Sequence, residues 1–159
     1  MSMNREIHSY IKIEAIISGA FNFFITGMAA ALIYHKADYI PADITGFAID
    51  QFIICMCIGI LTALFSKAGL KQKKLAETQT GGGSLTRFLS RLFRRAVLFG
   101  VFFGLVTFLA AFTLTVSIFA LFSITEIPFG VYIPLKCTFF GLLSAGATAL
   151  ELYSGIHKS

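Results

Sequence analysis

Long apolar runs separated by short polar stretches set the pattern of this chain. Four segments, Ile13 to Tyr34, Phe47 to Ser66, Ala96 to Phe122 and Val131 to Tyr153, hold only isolated charges. A bilayer core takes about 20 helical residues, so each predicts a transmembrane helix. The third is long enough that it must tilt or extend its cytoplasmic end into the headgroup layer. The expected fold class is an all-α membrane protein of four transmembrane helices, packed as a compact four-helix bundle.

The polar connections predict an orientation, because loops rich in lysine and arginine stay in the cytoplasm. Residues 67–95 carry Lys67, Lys71, Lys73, Lys74, Arg87, Arg91, Arg94 and Arg95 against Glu77 alone. Residues 35–50 carry Asp38, Asp43 and Asp50 against Lys36, and residues 123–130 carry only Glu126. The basic connection is therefore expected inside, the other two outside, and both termini (1–12 and 154–159) in the cytoplasm. Within the basic connection, Thr80-Gly-Gly-Gly-Ser84 reads as a flexible divider. It has no Gly-Lys-Ser/Thr ending and no preceding strand, so it does not read as a phosphate loop. After it, Ser84 is expected to cap an amphipathic helix over 84–95. Leu85, Phe88, Leu89 and Leu92 share one face and Arg87, Arg91, Arg94 and Arg95 lie largely on the other. Two readings fit: a topology anchor on the inner leaflet, or a helix that senses anionic lipid.

The halves resemble each other. Ala15, Gly19, Phe21, Thr26, Ala29 and Ala30 align with Ala96, Gly100, Phe102, Thr107, Ala110 and Ala111. Cys55, Gly59, Leu61, Thr62 and Ala63 align with Cys137, Gly141, Leu143, Ser144 and Ala145. This predicts two tandem hairpins (13–66 and 96–153). Each crosses the membrane an even number of times, so the copies are expected to be related by a pseudo-twofold axis along the membrane normal. Small residues recur at four-residue steps, Gly59, Gly141 and the pair Gly100 and Gly104 among them, and are expected to let helix backbones approach. The same grooves offer surfaces for a homodimer.

Composition narrows the class. Of 159 residues, 57% are hydrophobic and 13% charged, and the mean hydropathy of +0.82 leaves too little polar surface for a water-soluble core. The net charge of +5 sits beside the apolar spans, which points to anionic lipid at the cytoplasmic face and away from nucleic acid. Cys55, Cys57 and Cys137 fall inside apolar segments and read as small hydrophobes. The spacing of Cys55 and Cys57 puts them on different helix faces, unsuited to a shared metal. Neither a metal site, a cofactor site nor a catalytic constellation is expected, so the chain is not read as an enzyme.

Polar residues within the spans supply the candidate chemistry. Glu14, Ser18, Asn22 and Thr26 share one slowly drifting face of the first span. Asn22 lies about 12 Å along the helix from Glu14, deep enough to need a partner. The face reads either as interhelical hydrogen bonding or as the wall of a polar path. Its counterparts in the third span are Arg95, Phe99, Phe103 and Thr107, so most of it is not duplicated. Asp50 and Lys136 fall at similar depth near the outer surface and are expected to pair, as a latch, gate or proton-linked site, unless Lys136 snorkels to the headgroups. Glu14 and Glu151, near the cytoplasmic boundary, read as solvated carboxylates. The leading functional expectation is a small transport or channel-like protein using the Asn22–Thr26 face. Its rival is a membrane subunit or interaction module that binds partner proteins or anionic lipid.

The stretch Ala20-Phe-Asn-Phe-Phe-Ile-Thr-Gly-Met-Ala-Ala30, followed by Ile40-Pro41 and Ala48-Ile-Asp50, resembles a group of uncharacterised small bacterial inner-membrane proteins loosely labelled permease-like. The likeness lies mainly in residues 15–66. It implies a bacterial cytoplasmic membrane, includes Asn22 and Asp50 in the pattern, and brings no substrate.

Overall fold

A computed structural model describes residues 2–35, 37–75 and 83–157. Most of the expected glycine divider (80–82) lies outside them, as does Glu77. The described elements run α1 (Ser2–Tyr34), β1 (Tyr39–Pro41), α2 (Ile44–Gln72), α3 (Ser84–Phe93), α4 (Ala96–Phe122), β2 (Glu126–Pro128) and α5 (Phe129–Ile156). The four long helices, α1, α2, α4 and α5, are long and apolar enough to cross a membrane. They outrun the hydropathy segments: α1, of 33 residues, is about 50 Å long against a hydrocarbon core of about 30 Å. The extra turns are held by packing, where Ile7 of α1 meets Leu70, Phe93, Leu152 and Ile156 in one buried cluster.

Helix ends follow local chemistry. Asp43 caps α2, its carboxylate accepting from the backbone N–H groups of Thr45 at 3.2 Å and Gly46 at 2.9 Å. Ser123 ends α4 in the left-handed conformation, φ 49°. The amphipathic helix differs from expectation at both ends. Gly83, not Ser84, is its N-cap, and it stops at Phe93, so Arg94 and Arg95 form the corner into α4. Its buried face is also rotated. Ser90 and Phe93 turn inward with Leu89 and Leu92 against the core, while Leu85 and Phe88 are exposed. Arg87, Arg91, Arg94 and Arg95 are all exposed.

Three-residue strands in the two acidic connections were not legible in the sequence. They pair antiparallel, Ile40 opposite Ile127, with Tyr39 opposite Pro128 and Pro41 opposite Glu126.

Helices consecutive in sequence are not the ones that pack most closely. α1 lies along α5, α2 lies along α4, and α2 and α5 join the two pairs. Glycines permit both close pairings. A methyl group at Gly19 would stand 2.9 Å from the Gly141 carbonyl oxygen, and one at Gly141 would stand 3.1 Å from that of Gly19. At the other interface, a methyl at Gly100 would stand 2.5 Å from the Gly59 carbonyl oxygen, one at Gly59 would collide with that of Gly100, and one at Gly104 would stand 3.0 Å from that of Cys55. The small-residue positions Gly19, Gly59, Gly100, Gly104 and Gly141 are thus packed within the chain.

Candidate functional site

Because α1 rests on α5 and α2 on α4, a groove remains between α1 and α2 with α5 as its floor. Its volume is about 730 Å³, and it runs from Tyr10, Glu14 and Gln72 at one end to Ile33, Asp50 and Lys136 at the other. Apolar side chains edge it, Ile17, Phe21 and Ile25 on α1 and Ile53, Leu61 and Phe65 on α2, and all six are more than one-third exposed. Its polar lining comes from Ser18, Asn22, Thr26, Thr62, Ser66 and Thr148. The structure therefore brings the predicted polar face of the first span, Ser18, Asn22 and Thr26, onto one cavity wall.

That face is bonded to α5. Asn22 Nδ2 donates to Ser144 Oγ at 2.7 Å and to the Ser18 carbonyl oxygen at 3.1 Å. The hydroxyls of Ser18 and Ser144 are 2.8 Å apart, and Thr148 Oγ1 donates to Ser18 Oγ at 2.8 Å. Asn22 Oδ1 has no hydrogen-bond partner among the described residues, so the amide meets its structural need through one end and keeps an acceptor at the groove. Thr26 is buried.

At the end of the groove lined by Ile33, Lys136 Nζ donates to Asp50 Oδ2 at 2.6 Å. The lysine side chain is 7% exposed and the aspartate 28%, and the ammonium also lies 5.3 Å from the centre of the Tyr132 ring. Lys136 is turned to its partner and does not snorkel. Both residues also line a second cavity, of about 430 Å³, between α2, α4, α5 and β2, so the ion pair stands in the partition between the two spaces. In this second cavity, Gln51 donates from Nε2 to Thr115 Oγ1 at 2.7 Å, and its buried Oε1 has no partner.

Glu151 corrects the sequence reading. It is fully buried, with Thr62 Oγ1 donating to Oε1 at 2.9 Å and Ser66 Oγ to Oε2 at 3.1 Å. The α-helical extensions of α1 and α2, together with α3, cover the bundle end at which it had been expected to meet water. The spacing signal that singled out Ser18 and Asn22 also runs through Thr62 and Ser66 and through Ser144 and Thr148. Each pair is four residues apart on one face, and the sequence reading left both unused.

The cysteines are free, Cys55 and Cys137 buried and Cys57 exposed, the first and last on different helices. Among the described residues, no group of three histidine, cysteine, aspartate or glutamate side chains is placed to hold a metal ion. Comparison with protein-family models, with characterised proteins and with solved structures gave no match.

Proposed function

We propose that this is a small membrane transport or channel-like protein in which a solute or ion passes along the groove between α1 and α2. The observation that carries the reading is the combination of apolar edges, a hydrogen-bonding floor and an ion pair at one end of a single continuous groove. Interhelical hydrogen bonding alone would need no free acceptor at Asn22 and no cavity beside it. The test is flux of ions and protons in proteoliposomes, wild type against Asn22→Leu. Loss of the Asn22 bonds should cost no more than about 1 kcal/mol of stability, as interhelical hydrogen bonds usually do, while flux drops to background. Flux equal to wild type at matched insertion would remove Asn22 from the pathway.

The same reading places both termini and the basic connection in the cytoplasm of a bacterial inner membrane. α3 then lies on the inner leaflet, with Leu85 and Phe88 in the acyl boundary and Arg87, Arg91, Arg94 and Arg95 among anionic headgroups. Single cysteines in a background lacking Cys55, Cys57 and Cys137 check the orientation. An impermeant maleimide should label position 43 in intact cells and position 73 only after permeabilisation, and the opposite pattern inverts the topology.

Reciprocal contacts support the tandem-repeat organisation. Under the sequence alignment, the Gly19–Gly141 contact corresponds to the Gly100–Gly59 contact. Rotation that exchanges Ile40 with Ile127 also exchanges the pairs Tyr39–Pro128 and Glu126–Pro41. A twofold axis along the membrane normal generates such reciprocity. The halves differ where the groove lies. Ser18 and Asn22 are matched by Phe99 and Phe103, whose rings stack at 6.4 Å. One copy of the interface thus serves packing and the other carries polar chemistry.

A second reading, a membrane subunit that docks a partner helix, rests on the exposure of Phe21 at 63% and Phe65 at 71% along the edges of the groove. It predicts co-purification with a partner chain, no flux, and competition for the groove by that partner.

A further inference from the structure

Glu151 is a fully buried carboxyl group held by two hydroxyls. Among the described residues its polar partners are Thr62 and Ser66, and the described ion pair joins Lys136 to Asp50 instead. Charges buried in this way are ordinarily paired, so an unpaired buried carboxyl in a membrane-spanning helix calls for an explanation.

Counting protons supplies one. Thr62 Oγ1 lies 2.6 Å from the Ile58 carbonyl oxygen, 2.9 Å from Glu151 Oε1 and 3.4 Å from the Gly59 carbonyl oxygen, and it has one proton for these acceptors, the first two being the near ones. With Glu151 ionised, the Thr62 and Ser66 hydroxyls both point at the carboxylate. With Glu151 protonated, the acid donates from Oε1 to Thr62 Oγ1, the Thr62 proton goes to Ile58, and Ser66 still donates to Oε2. Both states are satisfied without moving a heavy atom.

Access is one-sided. Thr62 and Ser66 line the groove, whereas the bundle end beyond Glu151 is filled by Ile7, Leu70, Phe93 and Ile156. Titratable and charged groups on the packed elements stand elsewhere. Tyr10 and Glu14 of α1 line the inner end of the groove. Lys67 of α2 donates to the Arg94 carbonyl oxygen, Arg94 and Arg95 beyond α3 are exposed, and His157 on α5 bonds to the Tyr153 carbonyl oxygen.

We propose that Glu151, with Thr62 and Ser66, is a proton-binding site that opens onto the groove and couples proton movement to passage through it. The coupling rests on the transport reading above, and the proton binding does not. In the loading step a hydronium ion in the groove gives a proton to Thr62 Oγ1 and leaves as water, the original Thr62 proton passes to Glu151 Oε1, and the new Thr62 O–H turns to the Ile58 carbonyl oxygen. Release is the reverse.

Infrared titration of the full chain in phosphatidylcholine vesicles tests the site. The expected result is a carboxylic-acid carbonyl band that grows as pH falls and is missing from Glu151→Gln. The band shifts in frequency in Thr62→Val, which keeps the carboxyl and removes the hydroxyl. A Glu151→Gln spectrum superimposable on wild type at every pH overturns the proposal. If Glu151→Gln does not insert, Thr62→Val decides, and an unshifted band overturns it. Solute flux driven by a pH gradient tests the coupling and should vanish in Glu151→Gln. A titrating band without wild-type flux overturns the transport reading and leaves the site standing. Flux without a titrating Glu151 band overturns the site and leaves the transport reading standing.

Discussion

Alanine at Gly100 is expected to destabilise the protein by about 3 kcal/mol, the upper end of the cost of overpacking a tight interface. The added methyl would meet the Gly59 carbonyl oxygen at 2.5 Å, Ile60 Cα at 2.6 Å and Gly59 carbonyl carbon at 2.8 Å. All three are backbone atoms, so no side-chain rotation relieves the clash and α2 must move away from α4. Gly19→Ala meets a looser contact, 2.9 Å from the Gly141 oxygen and 3.0 Å from Ala145 Cβ, and should cost about 1–2 kcal/mol. Gly146→Ala meets nothing within 4 Å and should be neutral or slightly stabilising. Reversible unfolding in mixed micelles orders the three. Equal stability of Gly100→Ala and Gly146→Ala would mean that the α2–α4 interface is not as close as described.

Breaking the Asp50–Lys136 pair is the second large effect. Lys136→Met leaves Asp50 without its cation, and removal of one partner from a buried pair costs about 3–5 kcal/mol. Because Asp50 retains 28% exposure, the lower figure is expected. Exchange of the two residues, Asp50→Lys with Lys136→Asp, should recover most of the loss. Failure of the exchange to recover stability would mean that the contact at 2.6 Å contributes little. Replacing both by leucine separates latch from passage. Such replacements are often neutral for folding, so a folded double variant with altered flux assigns the charges to transport.

What was legible in the sequence follows from how local each signal is. The spans could be read because apolar runs of bilayer length have few alternatives. Asp50 and Lys136 could be paired because depth in a membrane is a one-dimensional coordinate that residue counting supplies. Gly59, Gly100, Gly104 and Gly141 announced close approach, but not which helix approaches which. That pairing decides where the groove lies, and so why Ser18, Asn22 and Thr26 matter. Glu151 was misread for a related reason: its distance from the chain end suggested water, whereas Ile7, Leu70 and Phe93 arrive from three other helices to bury it. The strands around Ile40 and Ile127 are too short to leave an alternating pattern.

The pairing of α1 with α5 also sets the order of assembly. Of the four long helices α1 is made before the others, and it finds its main partner in α5, the one made after them, while chains fold from the N-terminus as they are synthesised. Until Ser144 and Thr148 have been inserted, Ser18 and Asn22 face hydrocarbon or the insertion machinery without the hydroxyls that later satisfy them. α2 and α4 are both made before α5, so their interface has its two sides in place before that of α1 and α5 does. A nascent chain stalled before Val131 should therefore hold α1 without its main partner, with Asn22 bonded only to the Ser18 carbonyl oxygen of its own helix.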